Sequence, residues 1–176
     1  KDKVKNMSGG NGEVDTSMTP EEYRKLLEVC DAKYKAYEKA GCETYFNKKD
    51  HLWTLYEYET GQFKLPESTE AGMIYGGCNC GNCHITISSN GDIMACRRVT
   101  DSKVANIFED RLADVWICQM EKYRDYDKFV KCSKCELKAW CRGCPAVANG
   151  TSGNFYGADP QCWKTENEIT GEVLSC

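Results

Sequence analysis

Apolar residues recur at helical spacing first at Tyr23, Leu26, Leu27, Cys30, Tyr34 and Tyr37, the one-face repeat of an amphipathic helix. Thr19-Pro20-Glu21-Glu22 supplies its start, with Thr19 as N-cap, Pro20 at the first helical position and Glu22 closing a capping box; Gly41 supplies its stop. The pattern predicts a helix over 19–41. Its tyrosine stripe reads as core or interface packing. Cys30 lies on the apolar face and Cys42 just past the end, where lone cysteines act as small apolar fillers, so neither is taken as a ligand. The run from His51 to Tyr58 reads as a strand, with Thr60-Gly61 as a turn. Residues 62–77, with Pro66 and three glycines, read as a linker.

Alternation then takes over. Ile85, Ile87, Ile93 and Ala95 flank Asn90-Gly91, which predicts a β-hairpin with a type I′ turn. Its open end would return Cys96 toward Cys78, Cys80 and Cys83. A loop follows, and then Leu112, Val115, Trp116 and Met120 predict one helix from Glu109 to about Tyr123, with Cys118 pointing away. Residues 132–144 read as short turns, 150–157 as a polar loop, and 163–176 as a polar tail open to disorder. At the other end, 1–18 reads as a flexible loop around Ser8-Gly9-Gly10-Asn11-Gly12.

The cysteines change this picture. The chain has thirteen, against two histidines. Cys132, Cys135, Cys141 and Cys144 fall in a C-x2-C-x5-C-x2-C run, with Cys78, Cys80, Cys83 and Cys96 upstream and Cys162 downstream. A C-x2-C step turns two sulfurs to one side, and thiols crowded in this way need a metal to take up their charge. Disulfides fit poorly, because an odd count leaves one cysteine over. Structural zinc and iron–sulfur clusters both remain open on spacing, with iron favoured. His84, beside Cys83, is set aside because cysteines are in surplus.

Hydrophobic content of 41% is a little low for 176 residues, and metal centres can replace missing core. A net charge of −4 argues against a nucleic-acid partner. Seven Lys or Arg face three acids between Lys122 and Arg142. They read as a solvated face, or as an offset to thiolate charge. There is no apolar run of membrane-spanning length and no signal-peptide pattern. Free thiols in this number suggest a reducing cytoplasm. The start at Lys1 and the loop-like opening lead to the expectation of a fragment of a longer protein.

With that framework laid out, the chain resembles a SPASM domain, the auxiliary-cluster module of many radical S-adenosylmethionine enzymes. The family pattern is a cysteine, a spacer, G-x4-C, a gap, C-x2-C-x5-C-x3-C, a gap and a final cysteine. Cys78 or Cys80, Gly91-x4-Cys96, Cys132-x2-Cys135-x5-Cys141, Cys144 and Cys162 follow it, although Cys141-Arg142-Gly143-Cys144 is one residue short. Val104 to Trp116 also resembles the family's connection, and 19–41 its helical bridge. The resemblance covers about 72–164. It implies two [4Fe-4S] clusters, the second on Cys132, Cys135, Cys141 and Cys162. The first would use Cys96, Cys144 and one or two of Cys78, Cys80 and Cys83, with Cys78 and Cys83 favoured and Cys80 able to replace either.

The resemblance further implies an α+β fold, in which a small cysteine-rich domain over 72–164 carries a β-hairpin, helices and irregular cluster-ligating loops. A bridge at 1–71 would precede it and a tail at 165–176 would follow. The family's C-x3-C-x2-C motif is absent, so S-adenosylmethionine, a third [4Fe-4S] cluster and the radical chemistry are expected in an upstream barrel. The expected enzyme installs a thioether or carbon–carbon cross-link in a ribosomally made precursor peptide, with flavodoxin or ferredoxin as electron donor. Its clusters would transfer electrons or bind a substrate thiolate, and it would need neither nucleic acid nor membrane. A sulfatase-maturing enzyme would carry an acid after the G-x4-C cysteine, where this chain has Arg97. A zinc-binding interaction module needs the same cysteines. A two-cluster ferredoxin would show compact C-x2-C-x2-C-x3-C runs, which are absent.

Overall fold

The computed structural model describes residues 18–170, and its first element is the helix that the sequence predicts. Helix α1 spans Pro20–Lys39. Glu22 N donates to Thr19 Oγ1 at 3.2 Å and Thr19 N donates to Glu22 Oε2 at 2.9 Å, which closes the capping box. Tyr23 and Leu27 are buried, and with them the carboxylate of Asp31. Of the expected loop at 1–18, residues 1–17 lie outside the described residues.

The expected strand at 51–58 is instead a second helix, α2, over Leu52–Glu59. Leu52, Trp53, Leu55 and Tyr56 are all buried, the i, i+1, i+3, i+4 set of a helix face rather than the alternating set of a strand. Asp50 Oδ1 accepts from Leu52 N at 3.0 Å and satisfies an orphan donor of the first turn.

Asp31 ties the two helices together. It accepts from Lys35 Nζ at 2.6 Å, Lys48 Nζ at 3.4 Å, Gln62 Nε2 at 3.3 Å and Tyr56 Oη at 3.4 Å. Burial pushes its carboxyl up, but Lys35 and Lys48 outweigh burial and hold it below the usual range. A carboxyl lowered on folding stabilises above its unfolded value, and that gain fades as pH falls through the folded value. Asp31→Asn is therefore expected to lower stability at neutral pH and to flatten the acid limb below about pH 4. Melting temperature against pH measures it, and parallel acid limbs in the two proteins would refute the linkage.

The hairpin forms, with β1 at Thr86–Ile87 paired antiparallel to β2 at Asp92–Met94. Its turn is not type I′, because no residue other than glycine has positive φ among the described residues, and type I′ needs two. Gly91 N donates to Ser88 O at 2.9 Å, and Gly91 takes the left-handed position at φ 87°, giving a three-residue loop. Asn90 Oδ1, accepting from Ser88 Oγ and Asp92 N, holds this form. A methyl on Gly91 would also stand 2.6 Å from the Phe108 ring. A strand replaces part of the expected loop: β3, Lys103–Asn106, pairs with β2 and gives the order β1-β2-β3.

The predicted single helix at 109–123 is broken into pieces. Helix α3, Leu112–Asp114, is one short turn, followed by a π-helical stretch at Val115–Gln119 and a 3₁₀ turn at Glu121–Arg124. Arg124 explains the departure. Its Nη2 takes the Trp116 and Ile117 carbonyls at 2.9 and 3.2 Å, and its Nη1 takes Gly81 O at 2.9 Å. The helix yields acceptors to a side chain and is pinned to the first cysteine loop. Cys118 is exposed.

Part of the expected loop at 150–157 belongs to α4, Pro145–Ser152, with Pro145 at its start and Gly153 as a left-handed cap. The polar tail is tied down as far as Thr170 by α5, Glu166–Thr170. Trp163 Nε1 donates to Glu59 Oε1 at 2.6 Å and Lys164 pairs with Glu136 at 2.5 Å. The whole is a small, cysteine-rich α+β fold with two hydrophobic cores. One gathers Ile93, Val115, Met120, Phe129 and α4; the other joins α1 and α2 to Leu137 and Cys141. Among the described residues no helix is long and apolar enough to cross a membrane.

Candidate metal centre

The turns at 132–144 place their thiols through local backbone geometry. Cys132–Lys134 is a 3₁₀ turn in which Cys135 N donates to Cys132 O at 3.1 Å. Leu137 then buries into the second core and folds the chain back, with Cys141 N on Leu137 O at 2.7 Å. The result is a small, partly open pocket that is lined by Cys132, Cys135, Cys141 and Cys162 together. Leu55 of α2, Leu137 and Ile169 supply apolar wall, and Lys131, Lys164 and Asp159 supply charge. Cys162 comes from a separate loop, and Lys131 Nζ holds its carbonyl at 3.2 Å.

Electrostatics sets the chemistry of this cavity. Burial first, then the neighbouring thiols, pushes Cys132 and Cys141 up to about 12. Cys135 is also raised, chiefly by burial. Cys132, Cys135 and Cys141 hold their protons in such a place unless a cation takes the charge, and a bound metal centre is such a cation.

The first group is arranged differently. Cys80 lies between Cys78 and Cys96 in hydrogen-bond contact with both. Cys80 keeps its proton and is raised by these two contacts and by burial. Cys78 and Cys96 are lowered, each first by accepting from Cys80; His51 also lowers Cys78. Cys83 is exposed, and Cys144 is half-buried against the first core with Cys80 and Cys96. His84 is exposed and contacts Thr86 Oγ1.

A repeated backbone feature links the two groups. The sulfurs of Cys78, Cys96, Cys135 and Cys141 each accept from the N–H two residues on, at Cys80, Arg98, Leu137 and Gly143. Such bonds favour the thiolate and tune any cluster bound to it. Cys42 has the same contact with Thr44 but stands alone at the surface. The described cysteines are free thiols. Among the described residues no three His, Cys, Asp or Glu side chains close on a single ion.

Three residues that sequence reading passed over hold the site together. Asp159, buried, accepts from Cys144 N at 2.8 Å and Gln161 N at 2.9 Å, while its carbonyl accepts from Cys162 N at 3.0 Å. Arg142 is buried between the two groups. Gly143 packs on Asp159. The only signal they gave was position, inside or next to a cysteine motif. His51 gave none, because nothing in the sequence brings it to Cys78.

Residues 78–145 match the SPASM family, an iron-sulfur cluster-binding domain. No curated protein matches the chain, and no solved structure does.

Proposed function

We propose that this SPASM domain is the auxiliary-cluster part of a radical S-adenosylmethionine enzyme that cross-links a ribosomally made peptide. The observation that supports it is the cavity lined by Cys132, Cys135, Cys141 and Cys162, a donor set suited to a [4Fe-4S] cluster. Cys96, Cys144 and one or two of Cys78, Cys80 and Cys83 would hold a second cluster. Bound there, the clusters supply one-electron chemistry, or an open iron for a substrate thiolate.

The chain's own residues exclude water with Leu55 and Leu137, hold the thiol turns with N–H···S bonds, and place Lys131 and Lys164 against the charge. In this reading 72–164 is the two-cluster domain, 1–71 a bridge to the barrel that cleaves S-adenosylmethionine, and 165–176 a tail. The precursor peptide, an electron donor such as flavodoxin or ferredoxin, and a reducing cytoplasm belong to the same proposal.

Iron and acid-labile sulfide on anaerobically purified chain test it. About eight of each per chain are expected, with an absorption band near ~400 nm. Roughly two zinc ions and no sulfide would replace the redox reading with a structural module.

A further inference from the structure

We propose that Arg142 is the shared counter-charge of the two thiol groups, a positioning residue that clamps their loops together and raises the reduction potential of the clusters bound there. The proposal rests on the two-cluster reading.

Arg142 is 2% exposed, a burial that an arginine seldom reaches without a partner of opposite charge. Among the described residues no carboxylate lies within ion-pair distance of it. Its Nη1 donates to Lys138 O at 2.7 Å, and its Nη2 to Gly76 O at 2.9 Å and Cys78 O at 3.2 Å. The guanidinium also lies over the Tyr126 ring at 4.7 Å. Carbonyls and a ring face satisfy its donors but neutralise none of its charge.

The surroundings are built to admit it. Gly77, at φ +78°, would place a methyl 3.1 Å from Nη2, so the loop before Cys78 is shaped around the guanidinium. Arg142 itself sits between Cys141 of the second group and Gly143-Cys144, and its head reaches the carbonyl of Cys78 in the first. A thiolate-ligated cluster is net negative and becomes more so on gaining an electron. A fixed cation beside it in a medium of low dielectric favours that reduced state.

Arg142→Gln removes the charge and keeps hydrogen-bond donors; Arg142→Lys keeps the charge and loses the fork. Each is purified anaerobically and analysed for iron and sulfide, then titrated with dithionite under electron paramagnetic resonance. The proposal expects wild-type iron in both, with midpoint potentials displaced downward in Arg142→Gln and less so in Arg142→Lys. A purely structural arginine would alter melting temperature and leave the potentials unmoved. Should Arg142→Gln lose its iron, Arg142→Met, likewise uncharged, decides by the same titration. Wild-type potentials in an iron-loaded variant that lacks the charge overturn the proposal. A wild-type chain that binds no iron and sulfide overturns the cluster reading instead.

Discussion

Cys141→Ala is expected to lose about half of the iron and sulfide, some four of about eight atoms each, while keeping the signal of the other group. Cys141 is the most enclosed thiol of the pocket it lines with Cys132, Cys135 and Cys162, 8% exposed and packed with Leu55 and Leu137 in the core that α1 and α2 share. Burial and neighbouring thiols hold its proton on, so its ligand role depends on a centre that displaces that proton. Removing it leaves Cys132, Cys135 and Cys162 around an open corner. Cys42→Ala and Cys118→Ala, at exposed thiols, should keep full iron. Iron, sulfide and visible spectra of the three variants decide it, and full iron in Cys141→Ala would remove the four-thiol assignment.

Gly143→Ala is expected to be among the most damaging single substitutions outside the cysteines. Gly143 has φ +60°, and an added methyl would stand 2.5 Å from Asp159 Cβ and 3.0 Å from its Oδ2. The left-handed backbone costs about 1–2 kcal/mol for a residue with a side chain, and overpacking adds about 1–3 kcal/mol. Asp159 cannot retreat cheaply, since it holds the Cys144 amide on one side and the Gln161 amide on the other. Gly153→Ala is the control: φ is +69° there, but nothing lies within 4 Å of the added methyl. Denaturant melts of both variants should show a larger loss for Gly143→Ala. Equal losses would mean that Asp159 does not crowd the turn.

Local chemistry was legible in the sequence wherever one short segment decided it. The capping box at Thr19 and the hairpin around Gly91 needed no distant partner. The approach of Cys132, Cys135 and Cys141 to one pocket was legible as spacing, because C-x2-C steps converge by themselves. The turn type at Gly91 failed locally, because the Asn90 side chain holds a three-residue loop; the larger failures share another cause, which is that a distant group decided the outcome. The face of α2 is set by a core that it shares with Leu137 and Cys141, and the region 109–123 is broken by an arginine that reaches back to Gly81. Strand β3 exists because β2 offers it an edge. Placing Cys80 between Cys78 and Cys96 depends on how the hairpin returns, which spacing alone does not fix.

The wall of the thiol-lined pocket runs from Leu55 to Ile169 and includes Cys162, and this has a consequence for biogenesis. During synthesis Cys132, Cys135 and Cys141 leave the ribosome ahead of Cys162, by about 1–4 s at ordinary translation rates. For that interval three thiols that come to line one pocket meet solvent without their fourth neighbour or the wall that Ile169 completes. On the cluster reading proposed above, oxygen and iron supply at the moment of translation would bear on how much of the protein is made in loaded form. Slowing synthesis between those positions should lower the yield most in aerated cells.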